Sequence, residues 1–199
     1  MHIFADEQEE KEDEKEDEKG FTPLHQKLLE TRTILLFGEI NMETAQRITG
    51  QLLVLDADSD DPIKLIINSP GGHVESGDTI YDMIQFVNSP VKVIGTGWVA
   101  SAGALIYAAA EKENRYSLPN TRYLLHQPMG GARGQATDIA IEAEEILKMR
   151  RRLNETFARQ TGQPVEKIEE DTDRNFWMSA AEAQEYGLVN KIVESLDDV

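Results

Sequence analysis

Apolar residues in this chain gather in short unbroken runs, and the stretches between them repeat at helical spacing. Ile34-Leu35-Leu36-Phe37, closed by Gly38, reads as a buried strand. Ile63 to Ile67, Val91 to Ile94, Tyr123 to Leu125 and Val189 to Val193 read the same way. Between them, Ala45, Ile48, Leu52 and Leu55 step along one helix, and Ile80, Met83, Ile84 and Val87 along another. Thr22-Pro23 starts an earlier helix that carries Leu24, Leu28 and Leu29. Ser101 to Ala110 predicts a helix of small residues, and shorter helices follow Pro164 and begin near Ser179. Asn68-Ser69-Pro70-Gly71-Gly72 has the composition of a turn. Nearly all-apolar strands alternating with helices predict a mainly parallel α/β sheet covered on both faces.

One predicted helix is too long for such a domain. From Ala136 to about Gln160, Ile139, Ala143, Ile146, Leu147, Leu153 and Phe157 keep a helical stripe, before Thr161-Gly162 closes it. At 1.5 Å per residue this is roughly 37 Å, more than the diameter of a domain of this size. The stripe fits a handle that projects from the body and packs against another subunit better than a helix lying across the sheet.

Composition narrows the class. Hydrophobic residues are 40% and charged residues 29%, as in ordinary globular proteins. No apolar run reaches the roughly 20 residues of a membrane span, and no secretory signal is visible. The chain has no cysteine, which excludes disulfides and thiolate metal sites and fits a cytoplasmic, reducing setting. The net charge of -17 argues against nucleic acid as a partner, because phosphate binding needs concentrated Lys and Arg. Asp6 to Lys19 holds ten acids against three lysines, a net charge of -7. Such a segment cannot bury enough apolar surface to offset its chain entropy. Residues 1–20 are therefore read as an acidic, disordered or fraying appendage, with an electrostatic gate or docking tail as the sharper alternative. Residues 21–199 are read as one domain.

Three features carry chemistry. Gly97-Trp98-Val99-Ala100-Ser101-Ala102-Gly103 sets a serine between a strand and a small-residue helix. A nucleophilic serine needs a sharp backbone turn there, so that its hydroxyl is exposed and the next amide can face an oxyanion. A serine in that place can also be a plain helix cap. His126 ends an apolar strand, where ligands of α/β sheets collect, and the glycines of Asn68 to Gly72 can bring backbone amides against a substrate.

Together these features resemble the proteolytic subunits of the Clp protease, over about Phe21 to Val193. The matching blocks are INSPGG (Ile67 to Gly72), SGDTIYDMIQF (Ser76 to Phe86), ASAG (Ala100 to Gly103), LHQP (Leu125 to Pro128), GQATDI (Gly134 to Ile139) and SAAEAQEYGLV (Ser179 to Val189). The spacings agree as well, with 29 residues from Gly72 to Ser101 and 25 from Ser101 to His126. The resemblance implies a ClpP/crotonase-like α/β fold of repeated β-β-α units with a projecting handle helix. It implies a serine endopeptidase with Ser101 as nucleophile and His126 as general base and then acid. The amides of Gly72 and Ala102 would form the oxyanion hole. A strand around Gly130, Gly131 and Gly134 would pair with an extended peptide. Handles would join two heptameric rings, with Arg174 in ion pairs between them. A hexameric Clp ATPase unfoldase would feed unfolded protein into the chamber, and ATP would be used there; the chain itself would need no metal or cofactor.

The sequence departs from that pattern in two places. The family's triad acid falls at Asn175, which can accept the proton on His126 Nδ1 but brings no charge; Asp171 and Asp173 are candidate substitutes. Two aromatic positions of the family's ATPase-docking surface are Lys64 and Ile66. An endopeptidase is therefore weighed against a catalytically weak ring subunit that works beside an Asp-bearing paralogue, and against an acyl-CoA-handling relative on the shared crotonase fold. The Ser101–His126 pair disfavours the last.

Overall fold

The computed structural model describes residues 23–131 and 133–199, so the acidic segment and its expected disorder lie outside the described residues. A first helix, α1 (Pro23–Glu30), leads into β1 (Thr33–Phe37), α2 (Met42–Asp58), β2 (Ile63–Ser69), α3 (Val74–Phe86) and β3 (Val91–Ala100). Then come α4 (Ala102–Tyr107), β4 (Arg115–Ser117), β5 (Arg122–Leu125), α5 (Ala136–Thr161), α6 (Val165–Asp171), β6 (Phe176–Ser179), α7 (Ala180–Tyr186) and β7 (Lys191–Ile192).

The sheet runs β1-β2-β3-β4-β7 with every pairing parallel. Ten-residue β3 serves two partners in turn. Val93 to Gly95 pair with β4, and Trp98 to Ala100 pair with β5. β6 then adds antiparallel to β5. The sheet thus forks along β3, and the second prong carries the ends of β3, β5 and β6 to one place.

The apolar patterning explains the elements. Ala45, Ile48, Leu52 and Leu55 form the buried face of α2, whose first turn Asn41 caps by accepting from the Thr44 N–H at 2.8 Å. Ile63, Leu65 and Ile67 are fully buried, whereas Lys64, Ile66 and Asn68 on the other face of β2 are half-buried. Cover on both faces, as expected of a parallel sheet, therefore fails at β2: one face of the sheet stands partly open within the chain. Asn68 and Ser69 extend β2, so the turn is confined to Pro70–Gly72. The helix expected to run to Ala110 ends at Tyr107.

Two strands carry no strong sequence signal. In β4, the first residue is Arg115, buried with no ion pair among the described residues, although Glu111 and Glu113 lie within electrostatic reach. Its guanidinium instead donates to the carbonyls of Ala110 (2.7 Å) and Gln160 (2.8 Å) and to Gln160 Oε1. Gln160 Nε2 in turn donates to the Tyr81 hydroxyl at 2.7 Å. These bonds tie β4 and α3 to the end of the long helix. β6 holds only four residues and is a strand because β5 pairs with it.

Helix α5 is the handle. Its 26 residues span about 39 Å. Every residue from Ala136 to Glu145 is exposed, whereas Leu153, Phe157 and Ala158 are buried in the body. Ile139 and Leu147 stay at 42% and 63% exposure and Ala143 is exposed as well, so half of the predicted stripe has no cover from its own chain, and Ile141 beside it is 55% exposed. Arg152 anchors the emerging helix through two bonds to the Asp78 carboxylate, at 2.8 and 2.6 Å, and Gly162 closes it at φ +78°.

Candidate active site

Ser101 sits at φ 55°, ψ -122°, a strained conformation for a residue with a Cβ. Its amide donates to the Leu124 carbonyl at 2.9 Å, so the turn is held by the neighbouring strand. It occupies the position before α4, yet its hydroxyl makes no capping hydrogen bond. That observation sets aside the reading of Ser101 as a side-chain cap, and the sharp, half-buried turn has the backbone form that a nucleophile elbow requires.

The turn after β2 presses directly on this elbow. A Cβ on Gly71 would lie 2.6 Å from Ser101 Cβ and 2.9 Å from the Ala100 carbonyl oxygen, so a side chain there would displace the serine. Ser69 shapes the turn by donating its hydroxyl to the Gly38 carbonyl (2.7 Å) and accepting from the Gly71 N–H (3.1 Å). The His73 N–H donates to the Ile40 carbonyl at 2.8 Å. The amide between them, on Gly72, donates to no acceptor among the described residues. Ala102 is the first residue of α4, where an N–H has no intrahelical acceptor, and its amide is likewise uncommitted. Two free N–H groups therefore flank the serine, one on each side of the Gly71 contact.

Strand register brings up the other two residues. β3 and β5 pair through Ala100 and Leu124, which places His126 about one strand spacing and one residue step from Ser101. β5 and β6 pair through Leu125 and Phe176. The ladder stops one residue short of His126 and Asn175, which leaves the two close together where β5 and β6 part. His126 and Asn175 line one cavity of about 720 Å³ with Gln127, Pro128, Met129, Gly130, Ile146, Asp173 and Arg174. Burial of the imidazole lowers the pKa of His126 below its ordinary value, and no charged neighbour opposes the shift. Its ring is therefore held neutral near pH 7, the state that accepts a proton. Among the described residues Ser101, His126 and Asn175 make no side-chain hydrogen bond to one another.

Both candidate substitute acids are engaged by other partners. Asp171 accepts from the Tyr186 hydroxyl at 2.6 Å and pairs with Lys167 at 2.9 Å. Asp173 pairs with Arg150 at 3.1 Å. Arg174 projects into solvent with its side chain 91% exposed, 3.9 Å from Asp173.

The expected glycine strand does not form in the isolated chain. Gly130, Gly131 and Gly134 lie outside any strand, because no neighbouring strand is there to pair with them. Gly130 packs closely on Ile146, where a Cβ would come within 2.9 Å of the Ile146 Cδ1. Gly131 faces open space. Gly130 and Gly131 also line a second cavity, about 280 Å³, that reaches Gly72 and His73. One positioning residue escaped the sequence reading. Gln127 donates its N–H to the Thr172 carbonyl and its Nε2 to the Asp173 carbonyl, both at 2.7 Å, and so pins the loop carrying Asn175 beside His126. Its place next to His126 was the only available signal. No group of three or more potential metal ligands occurs among the described residues, and none of their helices is long and apolar enough to cross a membrane.

The chain is similar to known proteins in sequence and in fold. The family model described as Clp protease matches residues 15–196. The "ATP-dependent Clp protease proteolytic subunit 2" of Gluconobacter oxydans is 62% identical over 88% of this chain and 80% of that protein. "Proteolytic subunit 3" of Rhizobium meliloti is 56% identical over 98% of each. Among solved structures, ClpP1 of Listeria monocytogenes superposes with TM-score 0.80 at 58% identity, covering 88% of this chain and 98% of that one. An Asn-to-Asp mutant of the same Listeria protein superposes with TM-score 0.82 at 59% identity, covering 87% and 98%.

Proposed function

The chain belongs to the Clp protease family, and on that premise we propose that it cuts peptide bonds with Ser101, His126 and Asn175 as its catalytic set. It is a serine-type endopeptidase subunit. The observation that carries the residue assignment is the Ser101 elbow, strained, uncapped and flanked by two uncommitted amides.

The geometry supports the following reaction. Ser101 Oγ attacks the scissile carbonyl while His126 Nε2 takes its proton. The carbonyl oxygen, now negative, is received by the N–H groups of Gly72 and Ala102. His126 passes the proton to the departing amine as the C–N bond breaks, leaving an acyl ester on Ser101. Water, deprotonated by the same ring, then hydrolyses the ester and restores the serine. Asn175 Oδ1 accepts from His126 Nδ1–H, which leaves Nε2 free to act as base. The lowered pKa of His126 suits that role, since a protonated ring cannot begin the reaction. The three side chains close up when substrate and neighbouring subunits order the cavity, as catalytic hydrogen bonds commonly do.

An extended substrate lies along Pro128 to Gly134, whose two cavities meet at Gly130 and run from Asn175 to Gly72. Main-chain pairing there would accept many sequences. Exposed Ile139, Ile141 and Leu147 support handle-to-handle stacking of two seven-membered rings, with Arg174 pairing between rings. A hexameric Clp ATPase would deliver unfolded chains in the cytoplasm and use the ATP, and a second ClpP paralogue could share the particle. Labelling with a fluorophosphonate tests the nucleophile. Ser101 should carry the label and Ser101→Ala should not; an assembled particle that hydrolyses peptide without labelling at Ser101 would sink the assignment.

A further inference from the structure

The smaller cavity beside the serine has walls of two kinds. Its volume of about 280 Å³ lies between the start of α3, the loop from Pro128 to Gly131 and one face of α5. Val74, Met129, Ile146 and Met149 give it apolar sides, with Gly130 packed on Ile146. Glu75, Glu142 and Glu145 bring carboxylates to it from two different helices, and no Lys or Arg lines it. Glu145 is met by Lys148 at 2.8 Å, and Glu75 lies 3.1 Å from His73 Nε2. The other ring nitrogen, Nδ1, is hydrogen-bonded to the Ser76 hydroxyl at 2.9 Å, which holds His73 against Glu75. Glu142 has no ion-pair partner among the described residues, so even a protonated His73 leaves this lining negative.

We propose that this cavity takes a lysine or arginine side chain, from the substrate residue whose carbonyl Ser101 attacks. The inference rests on the catalytic reading above, because the Gly72 amide that receives that carbonyl oxygen belongs to the same wall. Glu142, Ile146 and Met149 are four and three residues apart and so share one face of α5. Along the helix axis, Glu142 stands about 6 Å from Ile146 and about 10 Å from Met149. A long unbranched side chain lays its stem on Ile146 and brings its cation to Glu142, as amphipathic side chains do. An acidic side chain is repelled there, and a purely aliphatic one uses the walls but leaves the carboxylate without a partner. Main-chain pairing along Pro128 to Gly134 leaves the other positions of the substrate open.

Peptidyl diphenyl phosphonates, which label an active serine without turnover, test this on the full assembled protein. Two probes of one sequence carry either lysine or norleucine at the reacting position; norleucine has the same four-carbon stem and no charge. Labelling of Ser101, followed by intact mass, should be at least about ten-fold faster with the lysine probe, and Glu142→Gln should bring that ratio below about three. Equal rates, a faster norleucine probe, or a lysine preference that survives both Glu142→Gln and Glu75→Gln would each overturn the proposal. A fluorophosphonate without any such side chain separates this inference from the catalytic reading. If it labels Ser101 while lysine gives no advantage, the basic subsite alone is wrong. If it leaves Ser101 unlabelled, the catalytic assignment falls and the subsite falls with it.

Discussion

Replacing Asn175 by Asp asks how much of the catalytic set the missing charge withholds. The β5–β6 ladder ends one residue short of His126 and Asn175, and both line one cavity, so an aspartate at 175 that closed on Nδ1–H would hold its charge about 4 Å from the imidazolium that forms during attack. At an effective dielectric of 20 that attraction is about 4 kcal/mol. Asn175 is exposed, so solvent screens part of it, and about 2.7 kcal/mol is a fairer figure, or 10²-fold in rate. The substitution also removes the side-chain amide NH₂, which can otherwise donate to Nδ1 and hold the ring with its proton on Nε2, the unproductive tautomer. Hydrolysis of a short hydrophobic fluorogenic peptide by the assembled protein is the assay. kcat/KM should rise about 10²-fold in Asn175→Asp, and Ser101→Ala should abolish activity in both backgrounds. The pH profile gives an independent reading. His126 in the native chain has its pKa lowered by burial, so the acid limb should fall below the ordinary histidine value. A carboxylate at 175 favours the protonated ring and moves that limb to higher pH. A rate and an acid limb both unchanged by the substitution would refute the reasoning, and alignment of Ser101 with His126 would then be what limits the reaction.

Further consequences can be checked separately. Asp in place of both Ile139 and Leu147 on the exposed half of α5 should split the particle to half its mass in light scattering, with the far-ultraviolet circular dichroism unchanged. Gly71→Ala puts a methyl 2.6 Å from Ser101 Cβ at φ +96°, and should lower kcat at least about 10²-fold while KM changes little. Deleting residues 1–18 should move the melting temperature by less than about 5 °C, because a segment of ten acids and three lysines after Phe4 offers little apolar surface to bury.

What the linear sequence determined is what depends on neighbours along the chain. Strands β1, β2, β3 and β5, the amphipathic α2 and α3, and the length and glycine cap of α5 all follow from periodicity and end signals, which act locally. So does the pairing of a serine at a strand-to-helix junction with a histidine at a strand end. Arg115 reads as solvated loop until Ala110 and Gln160 surround its guanidinium, so β4 could not be found in advance. The four residues of β6 become a strand only because β5 lies beside them, and that ladder together with the Gln127 bonds brings the Asn175 loop near His126. Asp171 and Asp173 look equally available in sequence, but the hydroxyl of Tyr186 and the cations of Lys167 and Arg150 engage them. The open face of β2 was also invisible, because a run of apolar residues does not record whether anything packs on its second side. Contacts between residues distant in the chain decided each of these, and local pattern carries no record of such contacts.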